Sequence, residues 1–188
     1  MRTDGERSNR HNGLLYKISF FAFLFVLSGI YGFIYEVTDC RLDLGYFVKR
    51  GSTFGPWIPI YAFGGVIIHI LSDRLKKHPS AVFLVNCLAA GTLEYITGYI
   101  LLHKFNMRLW DYSNVHWNWF NIDGIICLRS VLFFGISGLI LIYLLAPFIK
   151  HILDRVNLKA AASVGTLLLA AFVSDIIIYR IYNWFAAQ

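Results

Sequence analysis

Apolar residues run through this chain in long blocks, and polar residues collect in the gaps between them. Five blocks stand out, at residues 14–37, 57–71, 80–102, 125–149 and 160–184. A membrane-spanning helix needs roughly 20 mostly apolar residues, and four of the five blocks reach that length. The second is shorter, and its start is interrupted by Pro56, Pro59 and Gly64-Gly65. Runs this long do not fit barrel strands, and in lipid the backbone must satisfy itself. The pattern therefore predicts an all-α, polytopic integral membrane helical bundle of about five transmembrane helices. Residues 1–13 form a cytoplasmic tail and residues 14–188 a single transmembrane domain. The first block is too long for a cleavable signal peptide, and no small-residue cleavage site follows it.

Composition agrees. Hydrophobic residues make up 57% of the chain, charged residues 15%, and the mean hydropathy is +0.59. A soluble domain would carry about a quarter charged residues. Lys and Arg then set the orientation. The N-terminal tail and the second and fourth gaps hold ten of them: Arg2, Arg7, Arg10, Lys17, Arg74, Lys76, Lys77, Lys150, Arg155 and Lys159. The opposite side holds six: Arg41, Lys49, Arg50, Lys104, Arg108 and Arg180. The positive-inside rule places the N-terminus in the cytoplasm and the C-terminus outside. The net charge of +6 is thus a matter of topology. No aromatic-interleaved basic stretch points to nucleic acid.

The same orientation puts the unusual residues on the outer side. Gaps 38–56 and 103–124 are the longest, and both are rich in Gly, Trp, Tyr, Asn and Asp. Long loops with specific side chains carry function more often than plain connections do. Glu94 is the most informative residue, a carboxyl inside an apolar block, where charge is costly and usually functional. At 1.5 Å per residue it lies roughly 12–15 Å below the outer end of its helix. Ser28, Gly32 and Glu36 share one helical face; Ala90, Glu94 and Gly98 share another, and Ala171 and Asp175 repeat the pattern. Small residues on such faces admit close helix approach. Arg129 lies about one turn into the fourth block, beside Cys127 and Ser130. If these faces converge, Glu36, Glu94, Arg129 and Asp175 line an outward-opening polar pocket that Arg50 and Asp111 close.

Plainer readings stand beside this one. Glu94 and Arg129 could form an interhelical bridge. Glu36 and Arg180 could snorkel to the interface. Asp175 could bond a neighbouring helix and nothing more, and His69 reads as a packed neutral side chain. Trp110, Trp117, Trp119 and Trp184 fall where interfacial belts lie.

No motif for nucleotide cradling, zinc proteolysis or serine hydrolysis occurs. Cys40, Cys87 and Cys127 have no metal spacing, although Cys40 and Cys127 could meet on the outer side. No catalytic residue, metal site or cofactor is assigned. In residues 50–65, Pro56 and Pro59 lack an N–H and push their predecessors away from helix. With Gly51 and Gly55 they predict a re-entrant entry to the second helix. Free N–H groups there, with Arg50 ahead, would suit an anion or a lipid headgroup.

The linked motifs resemble a bacterial membrane family. They are Gly32-x-x-x-Glu36, Arg50-Gly51, Gly55-Pro56-x-x-Pro59-Ile60-Tyr61-x-x-Gly64, Leu93-Glu94-Tyr95-Ile96-Thr97-Gly98, Trp110-Asp111-Tyr112-Ser113, and Asn121-x-x-Gly124-x-Ile126-Cys127-Leu128-x-Ser130. In this order, over about residues 20–149, the chain resembles the permease-like family catalogued as putative ABC-transporter type IV. Ser52-Thr53-Phe54 and Ala62 depart from that family's pattern. The resemblance implies a multi-pass protein of the bacterial cell membrane, with an ATPase subunit as a partner. The gaps at 72–79 and 150–159 are short for a self-sufficient ABC permease. A weaker analogy links the carboxylate and the Trp-Asp-Tyr loop to small helical enzymes of isoprenoid chemistry.

Three functions follow. The first is transport of a small polar or ionic ligand, with a site of Glu36, Arg50, Gly51, Gly55, Pro56, Tyr61, Glu94, Tyr95, Asp111, Tyr112, Asn121, Arg129 and Asp175. The second is an enzyme acting on a lipid or isoprenoid, with Glu94 as acid or base. The third is a non-catalytic assembly partner in the bilayer.

Overall fold

The computed structural model describes residues 13–186. The expected N-terminal tail, with Arg2, Arg7 and Arg10, lies outside these apart from Gly13. The architecture is all-α, as the apolar blocks predict. Helix α1 spans Leu14–Leu44, α2 Pro59–Ser72, α3 Pro79–Phe105, α4 Leu128–Arg155 and α5 Leu158–Ala186. A 3-10 turn, Asp73–Leu75, follows α2. Four of these, α1, α3, α4 and α5, are long and apolar enough to cross a membrane. Helix α2 has 14 residues, or about 21 Å of length.

Two boundaries differ from the hydropathy pattern for clear reasons. Helix α1 runs seven residues past its apolar block, through Thr38 to Leu44. Those residues include Thr38, Asp39, Arg41 and Asp43, but none is Gly or Pro, so nothing stops the helix. It stops at Gly45, where φ is 81° and the N–H bonds to Arg41 O at 3.0 Å. The first connection is therefore residues 45–58. Helix α4 likewise continues to Arg155, through a π-helical turn at Leu141–Leu145. Pro147 accounts for that turn, since it has no N–H for the carbonyl four residues back and its ring crowds that position.

The described residues form two compact units. One takes the chain up to Val66 and from Leu145 onward, and the other is Ile67–Leu144. The first unit has a core of Val26, Ala62 and Phe172. Gly29 makes room for Phe172, because a Cβ there would lie 2.8 Å from the ring. Ile58 N–H donates to the Gly29 carbonyl at 3.0 Å. Gly29 lies 15 residues before the end of α1 at Leu44, so the irregular chain descends about 22 Å along that helix. The expected re-entrant segment is present, and it explains why α2 is short. Tyr61 covers α1 at Gly32, where a methyl group would overlap its ring.

In the second unit α3 packs on α4 through glycines. Gly135 lies under Cys87 and Phe83, Gly138 under Asn86, and Gly91 beside Ile126 and Val131. Asn86 is fully buried, and its Oδ1 accepts the Ser72 hydroxyl at 2.7 Å.

Candidate functional site

Two carboxylates organise the polar chemistry, one in each unit. In the first unit, Asp175 on α5 accepts three N–H bonds from the re-entrant segment. Phe54 N–H reaches Oδ1 at 3.0 Å, Gly55 N–H reaches Oδ2 at 2.7 Å, and the Trp57 indole N–H reaches Oδ2 at 2.7 Å. These are the donors that suited an external anion in the sequence, and here the chain supplies its own. Thr53, fully buried, closes the turn by donating its hydroxyl to Trp57 O at 2.7 Å. Gly55 leaves room for the Trp57 ring, which a Cβ would meet at 2.7 Å. Trp57 in turn stacks on Phe172, with centroids 5.0 Å apart. Gly51 has φ 86°, the left-handed region that glycine favours. Further along the segment, Arg50 Nε donates to Glu36 Oε2 at 2.9 Å. The pair fixes the end of the expected Ser28-Gly32-Glu36 face.

In the second unit, Glu94 is 5% exposed on α3. The Tyr112 hydroxyl lies 2.7 Å from Oε1, and Ser130 Oγ lies 2.9 Å from Oε2. Ser130 stands at the start of α4, where it completes a capping box with Cys127. Tyr112 arrives from the connection 106–127, and each neighbour in its motif holds that connection in shape. The Trp110 indole donates to Ile125 O at 2.8 Å and covers Gly98. Asp111 pairs with Arg108 at 2.9 Å and accepts Ser113 N–H at 2.8 Å. Tyr112 N–H bonds to Gly124 O at 2.9 Å, and Ser113 O accepts the Asn118 amide at 2.8 Å. Asn121 Oδ1 accepts Gly124 N–H at 2.8 Å. Gly124 has φ 70°, and its missing side chain leaves space for Asp111, Arg108 and Ser113. The hydroxyl and N–H of Ser113, with Arg108 beside them, hold the Asp111 carboxyl below its ordinary 3.8 against the opposing effect of burial. A small, mostly apolar recess at this end is lined by Gly98, Leu101, Met107, Trp110 and Ile125, among others.

A family model described as "Putative ABC-transporter type IV" matches residues 23–179, which is 157 of the 188 residues. The chain belongs to this family. Family membership and the four apolar helices together make it a multi-pass membrane protein of a transport-type family. Comparison with curated proteins and with solved structures finds no match.

The structure sorts the expected site residues into local groups. Glu36 meets Arg50, Gly55 meets Asp175, Glu94 meets Tyr112, and Asp111 and Asn121 brace the connection that carries Tyr112. Tyr95 packs on Tyr99 one turn along α3. Arg129 is the second residue of α4. Pro56 lies within the segment that Asp175 holds. The Trp110 indole ties down its connection, and Trp117, Trp119 and Trp184 are well exposed. Cys40, Cys87 and Cys127 are all free thiols. Among the described residues, no group of three or more His, Cys, Asp or Glu side chains could hold a metal ion.

Three contributors were missing from the expected site. Ser130 was legible from its spacing with Cys127, because a residue three past a helix start caps it. Trp57 and the backbone N–H of Phe54 had no side-chain signature that pointed to Asp175.

Proposed function

We propose that this family member is the membrane-embedded part of a transport system, and that its site for a small polar or ionic solute is centred on Glu94. The observation that carries this reading is a carboxyl buried in an apolar helix and held by two hydroxyls. The two hydroxyls provide donors and acceptors that can be shared with a solute. The site opens outward if the N-terminus is cytoplasmic, as the Lys and Arg distribution supports. In this reading Tyr112, Asp111 and Asn121 shape the outer side of the site, with Arg129 near its base. Glu36, Arg50 and Asp175 keep the re-entrant segment folded. The discontinuous entry to α2 supports transport too, since broken helices recur in transporters where they line a cavity. The ATPase subunit would dock on the short cytoplasmic turns, around residues 72–79 and 156–157.

The test is extraction of tagged protein from its host in gentle detergent, followed by mass spectrometry of the intact complex. The expected result is a stoichiometric subunit with ATPase activity and a small polar molecule that Glu94→Gln no longer retains. A retained lipid with no ATPase would overturn the reading and favour a lipid-acting enzyme. A complex unchanged by Glu94→Gln would remove Glu94 from the site.

A further inference from the structure

One cation of the first unit is seated on aromatic rings. Lys49 is exposed in the connection 45–58, with Nζ 5.1 Å from the centre of the Phe54 ring and 5.9 Å from that of Tyr179. Such contacts hold an ammonium in place without cancelling its charge. Among the described residues no carboxylate lies within ion-pair distance of Lys49, although Asp175 acts on it through space. Both Asp175 oxygens already accept N–H groups of the segment, and the adjacent Arg50 is paired with Glu36. The rings are themselves fixed. Phe54 N–H is bonded to Asp175, and the Phe54 ring meets Tyr179 and Tyr182 edge-on, with centroids 5.0 and 5.6 Å apart.

The height of this cluster in a bilayer follows from α5. From Lys159, at the start of that helix, to Tyr179 is about 30 Å of helix. The hydrocarbon layer has about that thickness. With Lys159 at one boundary, Tyr179 and the Lys49 ammonium stand at the other, where lipid phosphates lie. Tyr179, Tyr182 and Trp184 are residue types that suit that level. Below the cluster α5 is open. Only 17% of its apolar window is buried, against 33–44% in the other three long helices. Leu167, Ala171, Ser174, Ile178 and Tyr182 are spaced by three or four, so they share a face, and all five are exposed. The strip ends on Tyr182, against the Phe54 ring that seats Lys49.

We propose that this face of α5 binds a phospholipid with an anionic headgroup, the phosphate resting on Lys49 and an acyl chain lying along the strip. The charge is complementary, and the apolar strip runs down from the cation as a chain runs down from its phosphate. The preference for an anionic headgroup follows from the rings. A zwitterionic headgroup brings an ammonium of its own, and the aromatic faces that would receive it are already occupied by Lys49.

The experiment uses the full chain in lipid nanodiscs that carry a trace of phosphatidylglycerol or phosphatidylcholine with a photoreactive group in one acyl chain. Labelled residues are located by peptide mass spectrometry. One lysine near a membrane surface corresponds to roughly fivefold in affinity for an anionic lipid. Labelling of residues 167–182 should therefore be roughly fivefold higher from phosphatidylglycerol, and Lys49→Gln should bring it down to the phosphatidylcholine level. Lys49→Arg should keep the preference. Arg180→Gln should keep it as well, because Arg180 leaves α5 about 100° round from Tyr179, on the side opposite Ile178. Equal labelling from the two lipids overturns the proposal, as does a preference that survives Lys49→Gln or falls equally in Arg180→Gln. A strip that takes no label from either lipid is covered by protein, which also overturns it. Trp57 emission checks that the segment keeps its fold in Lys49→Gln. If it does not, salt decides with the natural sequence: the preference should fade by about 1 M, and one that persists there counts against Lys49.

Discussion

Replacing Asp175 with Asn tests whether one carboxylate holds the re-entrant segment. The substitution keeps the size and removes the charge and one acceptor oxygen. Its best pose keeps the carbonyl oxygen against Gly55 N–H and the Trp57 indole, where two bonds of 2.7 Å converge. The new NH2 then faces Phe54 N–H, so that 3.0 Å bond is lost and two donors are set against each other. Bonds to a charged acceptor contribute about 1.5–3 kcal/mol each and neutral ones about 1 kcal/mol. One bond lost and two weakened come to about 3 kcal/mol, with the lower end of the range used because Phe54 is half exposed. For a chain of this size about 3 kcal/mol lowers the melting temperature by roughly 6–12 °C. The assay is thermal unfolding in a mild detergent, followed by tryptophan emission. Trp57 reports directly, because it is both bonded to Asp175 and stacked on Phe172. Asp175→Ala should cost more, since all three donors lose their acceptor. A shift under about 2 °C in Asp175→Asn, with unchanged Trp57 emission, would refute the assignment.

Three further outcomes are expected. Gly138→Ala should destabilise by about 1–3 kcal/mol because its methyl overlaps buried Asn86, whereas Gly165→Ala, whose nearest neighbour would be Ala22 at 3.2 Å, should change little; paired melts check both. Glu36→Gln should cost about 1 kcal/mol, since the Arg50 pair is only partly exposed at 26% and 21%, and should speed proteolysis of residues 45–58. Asp111 has a folded-state value below its ordinary 3.8, so its contribution is complete above about pH 4 and is lost as pH falls through the lower value; melting temperature should drop on that acid limb, and the drop should be shallower in Asp111→Asn.

Much of the architecture was legible because bilayer thickness writes itself into block length. The four long helices follow from that alone. The end of α1 did not, because hydropathy marks where lipid ends while helix propensity carries the backbone on to Gly45. The re-entrant segment was legible from Pro56, Pro59 and the glycines, since these residues act locally. What it binds was not. Asp175 lies about 120 residues away from Gly55, and no periodicity connects a carboxylate to backbone N–H groups at that distance. Glu94 stood out because a charge in an apolar block is rare. Its partner Tyr112 was visible only as part of a motif, whose role needed the folded connection to become clear.

The cradle around Asp175 also has a history within each molecule. The donors of residues 54–57 are synthesised early, and their acceptor follows 118–121 residues later. At about 5–20 residues per second the ribosome needs roughly 6–24 seconds to deliver it. Over that interval the first helix is made and the segment beside it still has open N–H groups, which lipid tolerates poorly. The entry to α2 therefore cannot be completed in the order in which it is translated. Insertion of the last helix finishes the second one, so a chain cut before α5 would lose the shape of a segment whose own residues are all present.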